Sequence, residues 1–147
     1  MPSVYDKSGL RLLYPDNWTL DEDTSGGAAR SVTVQSPGGA FWSIAVHDPA
    51  ADPRELAHTA LEALKQEYAD FDAEPVTEEL ANQPVGGFDF RFFYLDFTNT
   101  ATIRAFRTPT ATCLVLCQAE DREFEQLAQV FRAITTSVLS PGAIAPQ

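Results

Sequence analysis

Basic residues, histidine and cysteine are all scarce in this 147-residue sequence. Ten lysines and arginines stand against 21 aspartates and glutamates, which gives a formal net charge of -11 at pH 7. Because such a charge repels a phosphate backbone, nucleic acid is not an expected partner. The two histidines, His47 and His58, stand in no metal-ligand or catalytic-triad spacing, and the sequence has no phosphate-binding or calcium-binding loop motif. The sequence therefore predicts no catalytic residue, no metal site and no cofactor.

The two cysteines, Cys113 and Cys117, lie four residues apart in the segment TATCLVLCQA. Its β-branched and apolar residues favour a buried strand, in which positions four apart share a face but lie about 13 Å from each other. That separation excludes a disulfide between them. We expect two buried, unreactive thiols.

No stretch of the sequence approaches the roughly 18 apolar residues of a membrane-spanning helix, and its first ten residues resemble no signal peptide. We expect a cytoplasmic protein, and an exported or lipoprotein origin stays open if a leader has been removed. Hydrophobic residues make up 44% of the chain, which is typical of a folded globular protein. Residues 1–139 are predicted to form a single domain, followed by a flexible tail at 140–147.

Hydrophobic periodicity predicts antiparallel strands and two one-faced helices. A helix is expected from 53 to about 68, with Asp52 as its cap and Pro53 in its first turn. A second helix is expected from about 121 to 138, with acids in its first turn and an apolar stripe along one side. Strands separated by polar and glycine-rich turns are expected at 10–15, 18–23, 30–36 and 40–48.

The segment FDFRFFYLDF at 88–97 sets six aromatic rings among ten residues and is followed by a second strand-like run. A polar turn at Thr98–Thr100 predicts a hairpin in which Phe93 faces Ala105. Both faces of this hairpin are apolar near the turn, so we expect a helix on each face of the sheet and rings that are mainly core. The expected core includes Phe92, Phe106, Leu116, Phe131 and Ile134.

Three segments resemble the PsbP, Mog and DcrB-like proteins: GLRLLYPDNWTL at 9–20, QPVGGFDFRFFY at 83–94 and FRAITTSV at 131–138. Together with the order of the elements, the resemblance covers most of the chain. It implies an α+β fold in which an antiparallel β-sheet is flanked by helices on both faces, an α/β/α sandwich. Members of that superfamily are mostly not enzymes and include an accessory subunit of photosystem II, a Ran-binding protein, envelope lipoproteins and chaperones of secreted effectors. The resemblance therefore implies a non-enzymatic binding or accessory protein.

Two other functions stay open at this point. A small chaperone or adaptor would hold a hydrophobic client segment against exposed aromatic residues such as Phe41 or Trp42. An enzyme with an unrecognised site would need a pocket that holds a histidine beside a carboxylate with a shifted pKa.

Seven acids and no base lie between Lys65 and Arg91. The simplest interpretation is a solvated edge, and the functional one is a docking surface for a basic protein. The sequence indicates neither the identity of that partner nor an oligomeric state. The candidate partner-binding residues are Glu67, Asp70, Asp72, Glu74, Glu78 and Glu79, and Asp89 is the seventh acid.

Overall fold

The computed structural model describes residues 2–7, 9–23 and 30–139, without the side chains of residues 69 and 70. The predicted tail at 140–147 lies outside the described residues. In the described chain no helix is long and apolar enough to cross a membrane. Its nine strands and two helices are, in chain order, β1 (Pro2–Lys7), β2 (Leu10–Pro15), β3 (Thr19–Asp23), β4 (Arg30–Gln35), β5 (Phe41–His47), α1 (Pro53–Glu67), β6 (Ala69–Leu80), β7 (Gln83–Tyr94), β8 (Phe97–Arg107), β9 (Thr112–Glu120) and α2 (Asp121–Leu139).

Seven of these strands form one antiparallel sheet in the order β3-β4-β5-β9-β8-β7-β6, while β1 and β2 form a separate two-stranded sheet. The large sheet consists of two meanders, β3 to β5 and β6 to β9, joined along the chain by α1. The last strand of one meander pairs with the last strand of the other, β5 with β9. As a result β6, which carries most of the acidic run, is an edge strand.

The two helices cover opposite faces of the large sheet, which confirms the α+β fold expected from the sequence. Neighbouring residues of β9 point to opposite faces, so Leu116 packs toward one helix and Val115 toward the other. Leu61 of α1 lies in the apolar cluster that Leu116 contacts. Phe131 of α2 lies in the second cluster, with Val115 and Trp42.

The expected core residues occupy these two clusters. Phe92, Phe106, Phe131 and Ile134 are buried, and Leu116 is half-buried.

The expectation of an exposed aromatic surface around Phe41 and Trp42 is wrong for Trp42. Its ring is fully buried, and its indole N–H donates a hydrogen bond of 2.9 Å to Thr135 Oγ1 in α2. Phe41 is half-buried. The physical reason is that β5 lies inside the sheet, between β4 and β9, with α2 over the face that carries Trp42.

The hairpin of β7 and β8 has a different register from the predicted one. Its turn consists of Leu95 and Asp96, whose φ angles are 50° and 67°, as a two-residue type I′ turn requires. Phe93 therefore lies opposite Thr98 instead of Ala105. The predicted three-residue turn was wrong because Leu-Asp lacks the asparagine or glycine that usually marks this turn type.

Two strands, β1 and β6, are absent from the sequence prediction. Acidic residues and Pro75 disfavour a strand within 69–80, yet an edge strand tolerates both because one side of its backbone is unpaired. A second turn with two positive φ angles, at Ala81 and Asn82, then returns the chain into β7. The sequence signal for this hairpin is partial, because Asn82 is a residue type that tolerates a positive φ angle and Ala81 is not.

Replacing Gly87 by alanine should destabilise the fold, whereas the same change at Gly86 should not. A Cβ atom at Gly87 would overlap the carbonyl oxygen of Ile103 in the neighbouring strand, and backbone cannot move aside as a flexible side chain can. At Gly86 the nearest atom would be Val76 O, at 4.0 Å. We expect Gly87→Ala to lower the free energy of unfolding in urea by about 1 to 3 kcal/mol and Gly86→Ala to change it by less than about 1 kcal/mol. Equal effects of the two variants would contradict this packing.

Candidate partner-binding surface

The seven acids of the acidic run lie on three elements and face different directions. Glu67 is the last residue of α1, and Asp89 lies in β7. Along β6 successive side chains alternate between faces, so Asp72, Glu74 and Glu78 lie on the α2 side of the sheet and Glu79 on the α1 side. The backbone of Asp70 is in β6, but its side chain lies outside the described part of the chain.

Two of these acids bind arginines that lie far away in the sequence. Arg104 Nε lies 2.5 Å from Glu78 Oε2, and its Nη2 lies 2.8 Å from Asp89 Oδ1. The second oxygen of Glu78 binds Arg132 Nη1 of α2, also at 2.5 Å. The Arg104 side chain is only 10% exposed, so this network lies mostly inside the protein. Gly87 of β7 lies directly opposite Arg104.

The network keeps both ends of its main ion pair charged. Burial alone would raise the pKa of Glu78, but hydrogen bonds and attraction from Arg104 and Arg132 outweigh it and hold that pKa below its usual value. Burial alone would lower the pKa of Arg104, but Glu78 and Asp89 outweigh it and raise that pKa. The charges of Glu78 and Asp89 are therefore balanced largely within the protein.

Four of the other acids, Glu67, Asp72, Glu74 and Glu79, are exposed. Glu67, Asp72, Glu74 and Glu79 have no ion pair among the described residues, although Asp72 lies directly opposite Arg91 in β7.

The tip of the β7–β8 hairpin carries four large apolar side chains in contact with solvent. Their exposed fractions are 46% for Phe93, 48% for Tyr94, 71% for Leu95 and 60% for Phe97. The aromatic stretch at 88–97 is therefore divided: its first half is core, as predicted, and its second half is surface. The sequence does carry a signal, since apolar residues occupy both faces up to the turn, but cover of both faces by helices predicts the same pattern.

Tyr68 at the end of α1 connects the buried half of this aromatic stretch to the exposed half. Its ring stacks on Phe92 at 4.2 Å and meets Tyr94 edge-on at 5.6 Å, both measured between ring centroids. Burial, and then the charges of Glu67 and Tyr94, raise the pKa of Tyr68. Asp96 adds a second carboxylate in the turn itself. We call the surface formed by Phe93, Tyr94, Leu95, Phe97, Glu67 and Asp96 the tip surface.

In the described ranges no group of three or more histidines, cysteines and acids is placed to hold a metal ion. His58 lines a groove of about 840 Å³ between the start of α1 and the strands β6 and β7, with its ring 6.0 Å from that of Phe88. Asp52, in the same groove, caps α1 by accepting a hydrogen bond of 3.1 Å from the backbone N–H of Arg54.

Both cysteines are buried and free, as predicted. Burial raises the pKa of the Cys113 thiol to about 11 and that of the Cys117 thiol to about 12. Neither thiol is therefore a nucleophile at neutral pH.

Solved structures of distant proteins share this fold. The cyanobacterial PsbP protein CyanoP from Synechocystis sp. PCC 6803 superimposes with a TM-score of 0.64 at 11% identity, over 92% of this chain and 90% of that one. The Ran-binding protein Mog1p of Saccharomyces cerevisiae gives 0.56 at 8% identity, over 96% and 93%. PA94 of Pseudomonas aeruginosa, a protein of unknown function, gives 0.53 at 12% identity, over 99% and 97%.

These similarities establish a PsbP/Mog-like fold, as the sequence resemblance implied. At such low identities they establish the fold alone. No protein-family model and no curated protein matches the sequence.

Replacing Glu78 by glutamine should reduce stability at neutral pH and leave it almost unchanged in acid. The variant leaves Arg104 with Asp89 alone of its two carboxylate partners, which we expect to lower the free energy of unfolding by about 1 to 3 kcal/mol at pH 7. Because the folded protein holds the pKa of Glu78 below the usual value of 4.5, the contribution is complete above that pH and is lost as the pH falls through the folded pKa. The difference in melting temperature between parent and variant should shrink accordingly.

The control for this prediction is Glu74→Gln, which removes an exposed acid from the same strand and the same face. A difference in melting temperature that stays constant between neutral and acidic pH, or an equal effect of the control, would contradict the network.

Proposed function

We propose that this protein is a non-enzymatic binding or accessory protein and that the tip surface binds a basic segment of another protein. The observation that carries the proposal is the exposure of four large apolar side chains at one hairpin tip, next to the carboxylates of Glu67 and Asp96. Aromatic side chains at the centre of an interface, surrounded by polar groups, supply most of the binding energy in many protein complexes.

The charge of the chain favours a basic partner. The net charge of -11 speeds the encounter with a positive surface and repels anionic lipid headgroups and nucleic acid. The acids predicted from the sequence extend the proposed surface along the sheet edge through Asp70, Asp72, Glu74 and Glu79. Glu78 contributes least to it, since Arg104 and Arg132 already bind both of its oxygens.

Binding to another protein is a function that this fold can support, because Mog1p, which shares it, is a Ran-binding protein. A cytoplasmic location stays a prediction from the sequence.

A second candidate function is a chaperone or adaptor that holds a hydrophobic client segment. The exposed rings favour it too, although the contacting residues would be those of the tip surface and not Phe41 or Trp42. The two functions differ in their dominant interaction. A complex with a basic partner weakens with added salt, whereas a complex with an apolar client weakens with mild detergent.

The test is a quantitative pull-down that compares the parent protein with the double variant Leu95→Ser, Phe97→Ser. Both side chains are mostly exposed, so the variant should fold, which a melting curve checks. A partner recovered by the parent is then purified, and its affinity is measured as a function of salt. We expect at least a tenfold weaker affinity for the double variant, and a weaker affinity for the parent at higher ionic strength.

Two matched controls separate the tip surface from general effects. Val4→Ser removes a large exposed apolar side chain from β1, outside the tip surface. Asp96→Lys reverses a charge of the tip surface, and Glu125→Lys makes the same charge change at an exposed position of α2. Val4→Ser and Glu125→Lys should bind the partner as the parent does.

Three results would overturn the proposal. The first is a partner affinity that neither the tip variant nor salt changes. The second is binding of the parent to lipid vesicles that the tip variant loses. The third is self-association of the parent in sedimentation that the tip variant loses, which would assign the tip surface to a second copy of this chain.

A further inference from the structure

The groove of about 840 Å³ beside the start of α1 has a floor of residues with short side chains or none. Gly86 of β7 lies in the middle of this floor, directly opposite Thr77 of β6 and Ala105 of β8. Ala105 belongs to the apolar cluster beneath α1, so all three residues lie on the α1 face of the sheet. Ala57, in the second turn of α1, also lines the groove. The groove is open because these residues fill little space.

Nothing in the local structure requires a glycine at position 86. Its φ angle is not positive, and β7 pairs with both neighbouring strands through this position without a bulge. A Cβ atom there would meet only Val76 O, at 4.0 Å, which is ordinary contact. Glycine inside a strand weakens it, and it often marks a place where a ligand or another chain comes close. Gly86 therefore leaves empty a space in the groove that a side chain could occupy.

The two ends of the groove differ in chemistry. At one end the ring of Phe88 in β7 lies 6.0 Å from that of His58 in α1. Phe88 is opposite Ile103 of β8, and Arg107 follows four positions later on the same strand and the same face. At about 3.3 Å per residue, the aromatic end and the cationic end lie about 13 Å apart along the sheet.

Arg107 keeps its positive charge at its end of the groove. Its Nη2 donates a hydrogen bond of 3.1 Å to Ala51 O, in the connection that leads into α1. Ala51 O also accepts a bond of 2.9 Å from the hydroxyl of the buried Thr112 in β9, so the acceptor itself is fixed. A carbonyl group orients a guanidinium group without cancelling its charge, and one such bond engages one of its five N–H donors.

Two acids at the start of α1 also line the groove and limit where an anion can bind. The Asp52 carboxylate accepts a hydrogen bond of 3.1 Å from the backbone N–H of Arg54. Glu55 is exposed in the first turn of the helix. In the described chain neither acid forms an ion pair with Arg107. An anionic group is therefore favoured only beside Arg107, and an uncharged body suits the rest of the groove.

We propose that this groove binds a small aromatic carboxylic acid, with its ring over Gly86 against Phe88 and its carboxylate on Arg107. A guanidinium group matches a carboxylate through two parallel N–H···O bonds, and aromatic rings attract each other beyond their burial. The groove volume lies within the range of about 300 to 1,000 Å³ that is typical of small-molecule sites. The groove and the tip surface lie toward opposite ends of β7, so this site is independent of the proposed function.

The experiment titrates the protein with 3-phenylpropionate and follows backbone amide signals by NMR. We expect saturable shifts at Gly86 and Phe88 and none at the tip surface. The uncharged 3-phenylpropionamide and the ringless acetate are the reference compounds, and each should bind at least about tenfold more weakly because it lacks one of the two recognised groups. In the parent protein, nuclear Overhauser effects should connect the ligand ring to the rings of Phe88 and His58.

Variants then test the two ends of the site separately. Gly86→Val fills the groove at a position where the structure has room for a side chain, so it should fold, which a melting curve checks, and lose binding. Arg107→Gln should weaken binding of the acid about tenfold and leave that of the amide unchanged. Arg91→Gln, the same charge change at an exposed position of β7, should bind the acid as the parent does.

Four results would overturn the proposal. The first is the absence of saturable shifts at Gly86 and Phe88 in the parent protein, and the second is equal affinity for the acid and the amide. The third is parent-like binding by a folded Gly86→Val variant, which would mean that the groove is only a strip of sheet left uncovered by α1. The fourth is an equal loss of affinity in Arg91→Gln and Arg107→Gln.

Discussion

The ion pairs of the buried arginine Arg104 are the interaction on which the rest of this architecture depends. Its guanidinium group joins Glu78 of the edge strand to Asp89 of the next strand, and Glu78 in turn binds Arg132 of α2. A buried charge without such partners is strongly unfavourable, so the edge strand, the sheet and the helix are constrained to one arrangement. The glycine opposite Arg104 reflects a separate constraint, because a Cβ atom there would overlap the carbonyl oxygen of Ile103 in the neighbouring strand.

This constraint divides the acidic run into two classes. The negative charges of Glu78 and Asp89 are balanced by arginines of the same protein. The exposed acids along the edge strand and at the end of α1 present their charge to solvent. An exposed edge strand offers unpaired backbone groups to other chains, and charged side chains along it discourage such pairing. The acids of β6 thus discourage the pairing of other strands with this edge.

Much of the fold could be predicted from the sequence, since both helices and four strands have clear periodicity or capping signals. The register of the β7–β8 hairpin could not, because Leu95 and Asp96 adopt positive φ angles without the residues that usually indicate them. The edge strand β6 could not either, because its acids and Pro75 disfavour a strand.

The sequence indicates the candidate partner-binding surface only in part. The acidic run and the aromatic stretch are visible as local patterns, although their division into buried and exposed halves depends on the register. The ion pair of Arg104 with Glu78 could not be read from the sequence, because 26 positions separate the two residues along the chain.

A double-mutant cycle in urea unfolding tests the central claim most directly, with Glu78→Gln and Arg104→Met measured alone and together. If the two side chains form the internal pair described here, the double variant should be less destabilised than the sum of the single variants by about 1 kcal/mol or more. Effects that add to within about 0.3 to 0.5 kcal/mol would contradict the account, because they would mean that Arg104 and Glu78 act independently.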